Sequence, residues 1–223
     1  MKEQILVIGG TSGLGLSLAK NYSSQSNHVV ITGRRDPNIS DLDFYELSIT
    51  EDSQQIFREV ATLIEQVGEI STLVYCAGFA LEGTIEEHTD KDILTMINIS
   101  SLVPAVLVRE LKKRQRRPIN LLFITSSAHY TAKKREPIYT MAKASLGMLG
   151  ESLSLDPEIG KVVVAAPSGM NTSFWPLEKE MTDYLDPEWV AKQILSLSLG
   201  DFKYRFAKIT RSPPEVDIVD TRV

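Results

Sequence analysis

Tyr139 and Lys143 stand four apart in the run Tyr139-Thr140-Met141-Ala142-Lys143, so on a helix a phenol and an ammonium leave the same face. The cation favours phenolate and draws the phenol towards the working pH, as a general acid/base requires. Such pairs also arise by chance on exposed helices, so their surroundings decide what they mean. Ser126 lies thirteen residues earlier, where the apolar run from Ile119 to Thr125 ends, and Asn98 falls inside the long helical segment before that run.

A second constellation lies near the N-terminus. Ile5-Leu6-Val7-Ile8 runs into Gly9-Gly10-Thr11-Ser12-Gly13-Leu14-Gly15, a strand, a turn and the start of a helix. Missing side chains at Gly9, Gly13 and Gly15 let the chain turn tightly, let a pyrophosphate approach the main chain and let helix and strand pack closely. A plain chain reversal is the alternative. The spacing G-x-x-x-G-x-G matches neither G-x-G-x-x-G nor a phosphate loop with its lysine. The next strand ends at Gly33-Arg34-Arg35. An acid at this point would accept from the 2′-hydroxyl of NAD, whereas arginine pairs with the 2′-phosphate of NADP. Two arginines and no acid favour NADP(H) over NAD(H), with solvated loop charges as the other reading.

The elements that must position these groups alternate. Short β-branched runs at about 4–8, 28–32, 43–47, 71–75, 119–125, 161–166 and 203–209 are separated by helical segments at about 14–22, 52–67, 90–113, 139–155 and 187–199. This pattern predicts an α/β, doubly wound, mostly parallel seven-stranded sheet of Rossmann type with helices on both faces. In the 52–67 segment Ile56, Val60, Leu63, Ile64 and Val67 form one apolar stripe. No repeat or linker breaks the alternation, so residues 1–223 read as one domain.

Composition narrows the function classes. With 43% hydrophobic residues, 24% charged residues and a net charge of −5, the chain resembles neither disordered proteins nor general nucleic-acid binders. The single cysteine, Cys76, rules out an internal disulfide and a cysteine-rich zinc site, and no metal centre is expected. A buried, inert thiol is its default reading. The N-terminal apolar stretch is too short for a signal peptide, and no uninterrupted run of about eighteen apolar residues occurs. A cytoplasmic protein without membrane or nucleic-acid partners is expected.

The glycine pattern at 9–15, Tyr75-Cys76-Ala77-Gly78, Ser126 and Tyr139-x-x-x-Lys143 together resemble, in order and spacing from residue 5 to about 200, the short-chain dehydrogenase/reductase family. The resemblance implies that Tyr139 exchanges a proton with a carbonyl or alcohol oxygen, that Lys143 holds the nicotinamide ribose, that Ser126 hydrogen-bonds the carbonyl oxygen, and that Asn98 anchors a water in a proton relay. It also implies cofactor contacts from Gly9, Thr11, Ser12, Gly13, Leu14, Gly15, Arg34, Arg35, Ala77, Gly78, Pro167, Met170 and Thr172, and a homodimer or homotetramer built on the helices at 90–113 and 139–155. The substrate would be a small-molecule carbonyl compound or alcohol.

Several positions depart from the family. Ser48 stands where an acid near the adenine is expected, Ser168 where a glycine is expected, and Cys76 where a second asparagine is usual. The lid at about 173–186 is short, with Phe174, Trp175, Leu177 and Met181 as an apolar wall. His129 is given no catalytic role and at most a substrate contact. The basic run from Lys112 to Arg117 reads as a solvated helix end. The tail from 210 to 223 alternates, and suits an edge strand or a subunit contact. Two rival readings stand beside an oxidoreductase: a catalytically weak NADP(H) sensor or scaffold, and a reductase of carrier-bound 3-oxoacyl groups.

Overall fold

A computed structural model describes residues 3–174 and 183–223. The strands are β1 (Gln4–Ile8), β2 (His28–Gly33), β3 (Asp43–Glu46), β4 (Thr72–Tyr75), β5 (Ile119–Ile124), β6 (Ile159–Pro167), β7 (Tyr204–Arg211) and β8 (Pro214–Arg222). They form one sheet in the order β3-β2-β1-β4-β5-β6-β7-β8. Neighbours from β3 to β7 run parallel, and β8 turns back antiparallel on β7. The expected architecture holds, but there are eight strands rather than seven. The tail is the eighth, an edge strand, and its register on β7 shifts between Phe206 and Ala207, leaving Val219 as an extra residue.

The helices are α1 (Gly13–Ser24), α2 (Ser53–Val67), α3 (Asp90–Ile97), α4 (Val103–Arg114), α5 (Pro137–Leu153) and α6 (Pro187–Leu197). Alternate strand residues bury opposite faces. Leu6, Ile8, Leu73, Leu121 and Val162 meet the α2 stripe and α4 on one side, while Ile5, Val7, Val74, Leu122 and Val163 meet α1 and α6 on the other. Asp52 caps α2 by accepting from the N–H groups of Gln54 and Gln55.

The 90–113 helix is not continuous. Pro104 has no N–H to offer the carbonyl of Ser100. The chain widens into a π turn over Asn98–Leu102, in which the N–H of Val103 reaches the carbonyl of Asn98. Averaged over eighteen residues, the helical stretch Asp90–Arg114 has a mean hydropathy of 1.5 and by length and composition alone could cross a membrane. Its apolar residues Val103, Val106, Leu107 and Leu111 are instead core of this fold. At its end Lys113 and Arg114 pair with Glu110, and Lys112 with Asp156 and Glu158, so three of the five cations in the basic run have local acidic partners.

Candidate active site

The strand order reverses between β1 and β4, and in open α/β sheets that switch point opens a crevice at the carboxyl ends of the strands. A cavity of about 590 Å³ lies there, lined by the turn after β1, the ends of β2, β4, β5 and β6, and one face of α3 and α5.

The glycine turn is built for close approach. Gly9 and Gly13 take φ of +79° and +50°, a region that side chains disfavour. A Cβ on Gly15 would lie 2.1 Å from the carbonyl oxygen of Gly9, and one on Gly9 would lie 2.7 Å from the nitrogen of Ala77. The first contact locks α1 onto β1, and the second draws the β4 end alongside. Thr11, Ser12, Leu14, Ala77 and Gly78 also line the cavity. Thr172 lies 3.3 Å from a Cβ built on Gly13, so the segment after β6 closes over the turn. The Ser168 substitution does not disturb it: Ser168 extends the ladder by donating to Ile209 at 2.8 Å, and neither it nor Gly169 needs a positive φ. Pro167 and Met170 line the cavity, and Leu185 holds the segment by donating to Gly169 and accepting from Asn171.

At the far end Arg34 lines the cavity, whereas the exposed Arg35 does not. Among the described residues neither arginine has an acidic partner. Ser48 is likewise outside the lining; its neighbours Leu47 and Ile49 line the cavity instead. Leu47 donates to the carbonyl of Gly33 at 3.0 Å, which fixes this segment beside Arg34.

At the other end Ser126, Tyr139 and Lys143 converge. Ser126 begins the 3-10 turn Ser127–His129 and accepts from the N–H of Ala128 at 3.2 Å. Pro137, in the first turn of α5, presets the helix that carries Tyr139 and Lys143. Lys143 is only 4% exposed, and its ammonium donates to the carbonyl of Ile124 at 3.2 Å. Burial pulls its pKa down to about 8. The phenol of Tyr139 moves against the expectation: burial pushes it well above its ordinary value, a hydrogen bond with Ser126 lowers it, and Glu136 raises it. Lys143, 5.7 Å from the ring centroid, does not prevail because desolvation opposes the phenolate more strongly.

Asn98 and His129 lie outside the cavity lining. The Asn98 side chain does not reach the cavity: its amide donates to the carbonyl of Thr50 at 2.9 Å and its oxygen accepts from Ser53 at 3.3 Å, tying the π turn to the α2 entry. His129 does not line the cavity either; it fills the space above Gly147 and packs against Phe206 with ring centroids 5.0 Å apart and planes tilted by 56°. Cys76 lines the cavity, half-buried, with its thiol pushed up to about 12 by burial, which fits an unreactive sulfur. Phe174 packs on Tyr139 with ring centroids 6.1 Å apart. Trp175, Leu177 and Met181 of the expected lid lie outside the described residues.

Sequence reasoning missed Phe79 and the face of α3 and the following π turn that carries Lys91, Thr95 and Ile99, all of which line the cavity. Their four-residue spacing marks a common helix face, but nothing in the sequence says where that face points. No cluster of histidine, cysteine, aspartate and glutamate suited to a metal ion occurs among the described residues.

Residues 3–182 match the family model for short chain dehydrogenase. A 3-ketodihydrosphingosine reductase from Bos taurus is 25% identical over 245 residues, covering 92% of this chain and 74% of the relative. A short-chain dehydrogenase/reductase from Vibrio parahaemolyticus superposes with a TM-score of 0.77 at 28% identity, covering 93% of this chain and 99% of the other. An alcohol dehydrogenase from Thermococcus sibiricus, complexed with 5-hydroxy-NADP, gives 0.80 at 15% identity, with 96% and 98% covered. The switch-point cavity, the glycine turn and the match over most of the length have one conclusion: the chain belongs to the short-chain dehydrogenase family of oxidoreductases.

Proposed function

We propose that the protein is an NADP(H)-dependent oxidoreductase that interconverts a carbonyl and an alcohol on a small molecule, with Tyr139 as general acid/base. The observation that carries this reading is the convergence of Ser126, Tyr139 and Lys143 on one end of a cavity whose other end holds the glycine turn and Arg34.

The residues present fit a nicotinamide dinucleotide. The turn at 9–15 offers backbone where side chains would obstruct, and the Arg34 guanidinium, without an acidic partner among the described residues, suits a 2′-phosphate. When bound, the cofactor supplies or accepts hydride at nicotinamide C4. In the reductive direction Tyr139 gives its phenolic proton to the substrate oxygen. A phenol held neutral by burial keeps that proton available at neutral pH. Ser126 hydrogen-bonds the same oxygen as charge develops on it. Lys143, fixed by Ile124, orients the nicotinamide ribose and supports return of the proton. Asn98 contributes through the position it gives the π turn, not through side-chain contact with a relay.

The reading extends to assembly and setting. A homodimer or homotetramer through α3–α4 and α5 is supported by apolar side chains left exposed there, Leu94 at 46%, Met141 at 46% and Met148 at 58%. A reducing, cytoplasmic setting suits the lone unpaired thiol.

NADPH and NADH oxidation against a panel of ketones, aldehydes and quinones tests the function. Turnover with NADPH on at least one carbonyl class, exceeding that with NADH, is the expected result. Tight NADPH binding with no turnover on any carbonyl would replace this reading with a sensor.

A further inference from the structure

Glycine is missing at 168 and present at 169, and the second position is the one whose packing calls for it. A Cβ on Gly169 would lie 3.2 Å from the ring of Tyr184 and 3.4 Å from the guanidinium of Arg211, closer than non-bonded atoms ordinarily settle. Arg211 in turn sits over that ring, 4.9 Å from its centroid, and has no acidic partner among the described residues. A backbone, a ring and a cation from three separate stretches of the chain are thus packed together.

Arg211 is the last residue of β7, and strand alternation aims its side chain. Phe206 and Lys208 point to one face of the sheet, where they pack on His129 and Tyr130 in the turn that follows Ser126. Ala207, Ile209 and Arg211 point to the other, towards α6 and the segment after β6. That segment lines the cavity through Ser168, Gly169, Met170 and Thr172, whereas Tyr184 and Arg211 do not line it. On the cavity side Thr172 meets Gly13, and Phe174 packs on Tyr139, so the segment runs from the glycine turn to the carbonyl end, away from the Arg34 rim. On its outer side it is held by the bond from Ser168 to Ile209, by the bridge between Met170 and Leu185, and by the stack.

Resting on the dinucleotide reading above, we propose that Arg211 is a positioning residue for the nicotinamide half of the cofactor. Its stack on Tyr184, seated on Gly169, holds residues 168–172 against the glycine turn, and the β7–β8 hairpin thereby sets cofactor affinity from outside the cavity.

Titration of the wild type, Arg211→Ala, Tyr184→Leu and the double variant with NADPH and with adenosine 2′,5′-bisphosphate tests this. The bisphosphate lacks the nicotinamide half, so it reports the adenosine end and the integrity of the fold. Arg211→Ala should weaken NADPH binding about two- to fivefold, the worth of one cation–π contact at an exposed site, and leave bisphosphate binding unchanged. The double variant should bind NADPH no more weakly than Tyr184→Leu alone, because the two side chains act as one unit. Unchanged NADPH affinity in Arg211→Ala, equal losses for both ligands, or additive losses in the double variant would overturn the proposal. A wild type that binds neither ligand would overturn the dinucleotide reading itself, which separates the two failures.

Discussion

On the proposed function, the two ends of the cavity recognise their ligands by opposite means. The nucleotide end works by omission: Gly9, Gly13 and Gly15 leave room that a Cβ would fill, and charge comes from Arg34 at the rim. The carbonyl end works by placement: Ser126, Tyr139 and Lys143 come from a strand end and a helix, half or fully buried, with their protonation set by desolvation. Damage at the first end should therefore appear as lost affinity, and damage at the second as lost turnover or altered pH dependence.

The sharpest test of that division is Tyr139→Phe. The ring that packs on Phe174 is kept and only the hydroxyl goes, so turnover should fall about 10²- to 10⁴-fold while the NADPH dissociation constant stays within about twofold. A parallel loss of affinity would merge the two ends into one. Lys143 gives a subtler test in the ligand-free protein. Its pKa of about 8 when folded lies below the ordinary lysine value near 10.5, so the unfolded chain binds the proton more tightly. The penalty is complete below pH 8 and is relieved as the pH rises to 10.5. Relative to Lys143→Met, the wild type should gain about 3 kcal/mol of unfolding free energy between pH 7 and 10.5. Denaturant titration across that range measures it, and a flat difference would mean that the ammonium is solvated. At the nucleotide rim, Arg34→Ala should weaken NADPH binding about ten- to hundredfold, the loss of charge-assisted bonds, and leave NADH binding unchanged. Equal losses for both cofactors would remove Arg34 from phosphate recognition.

Features that depend on local sequence were legible. β1 to β7 announce themselves as short apolar runs, and the glycine turn and the Tyr139–Lys143 pair as spacings. Features that depend on rotation about an axis were not. Position along the chain puts Ser48 at the adenine, yet it is its neighbours Leu47 and Ile49 that line the cavity. The sequence predicts an unbroken helix through Asn98, whereas the π turn ahead of Pro104 sends its amide to Thr50. β8 was hard to read because its alternation is of charged residues, and the strand is defined by its pairing with β7 rather than by burial.

That last strand bears on how the molecule behaves among its copies. A parallel sheet ending at β7 would offer a long open edge beside the wholly buried Ala207 and Ile209, a template on which another chain could add a strand. β8 covers that edge, and its own outer side carries Glu215, Asp217, Asp220 and Arg222 with a kink at Val219. Charged side chains and an irregular backbone make it a poor seed for strand-by-strand aggregation. β8 thereby protects a sheet edge that no helix among the described residues shields.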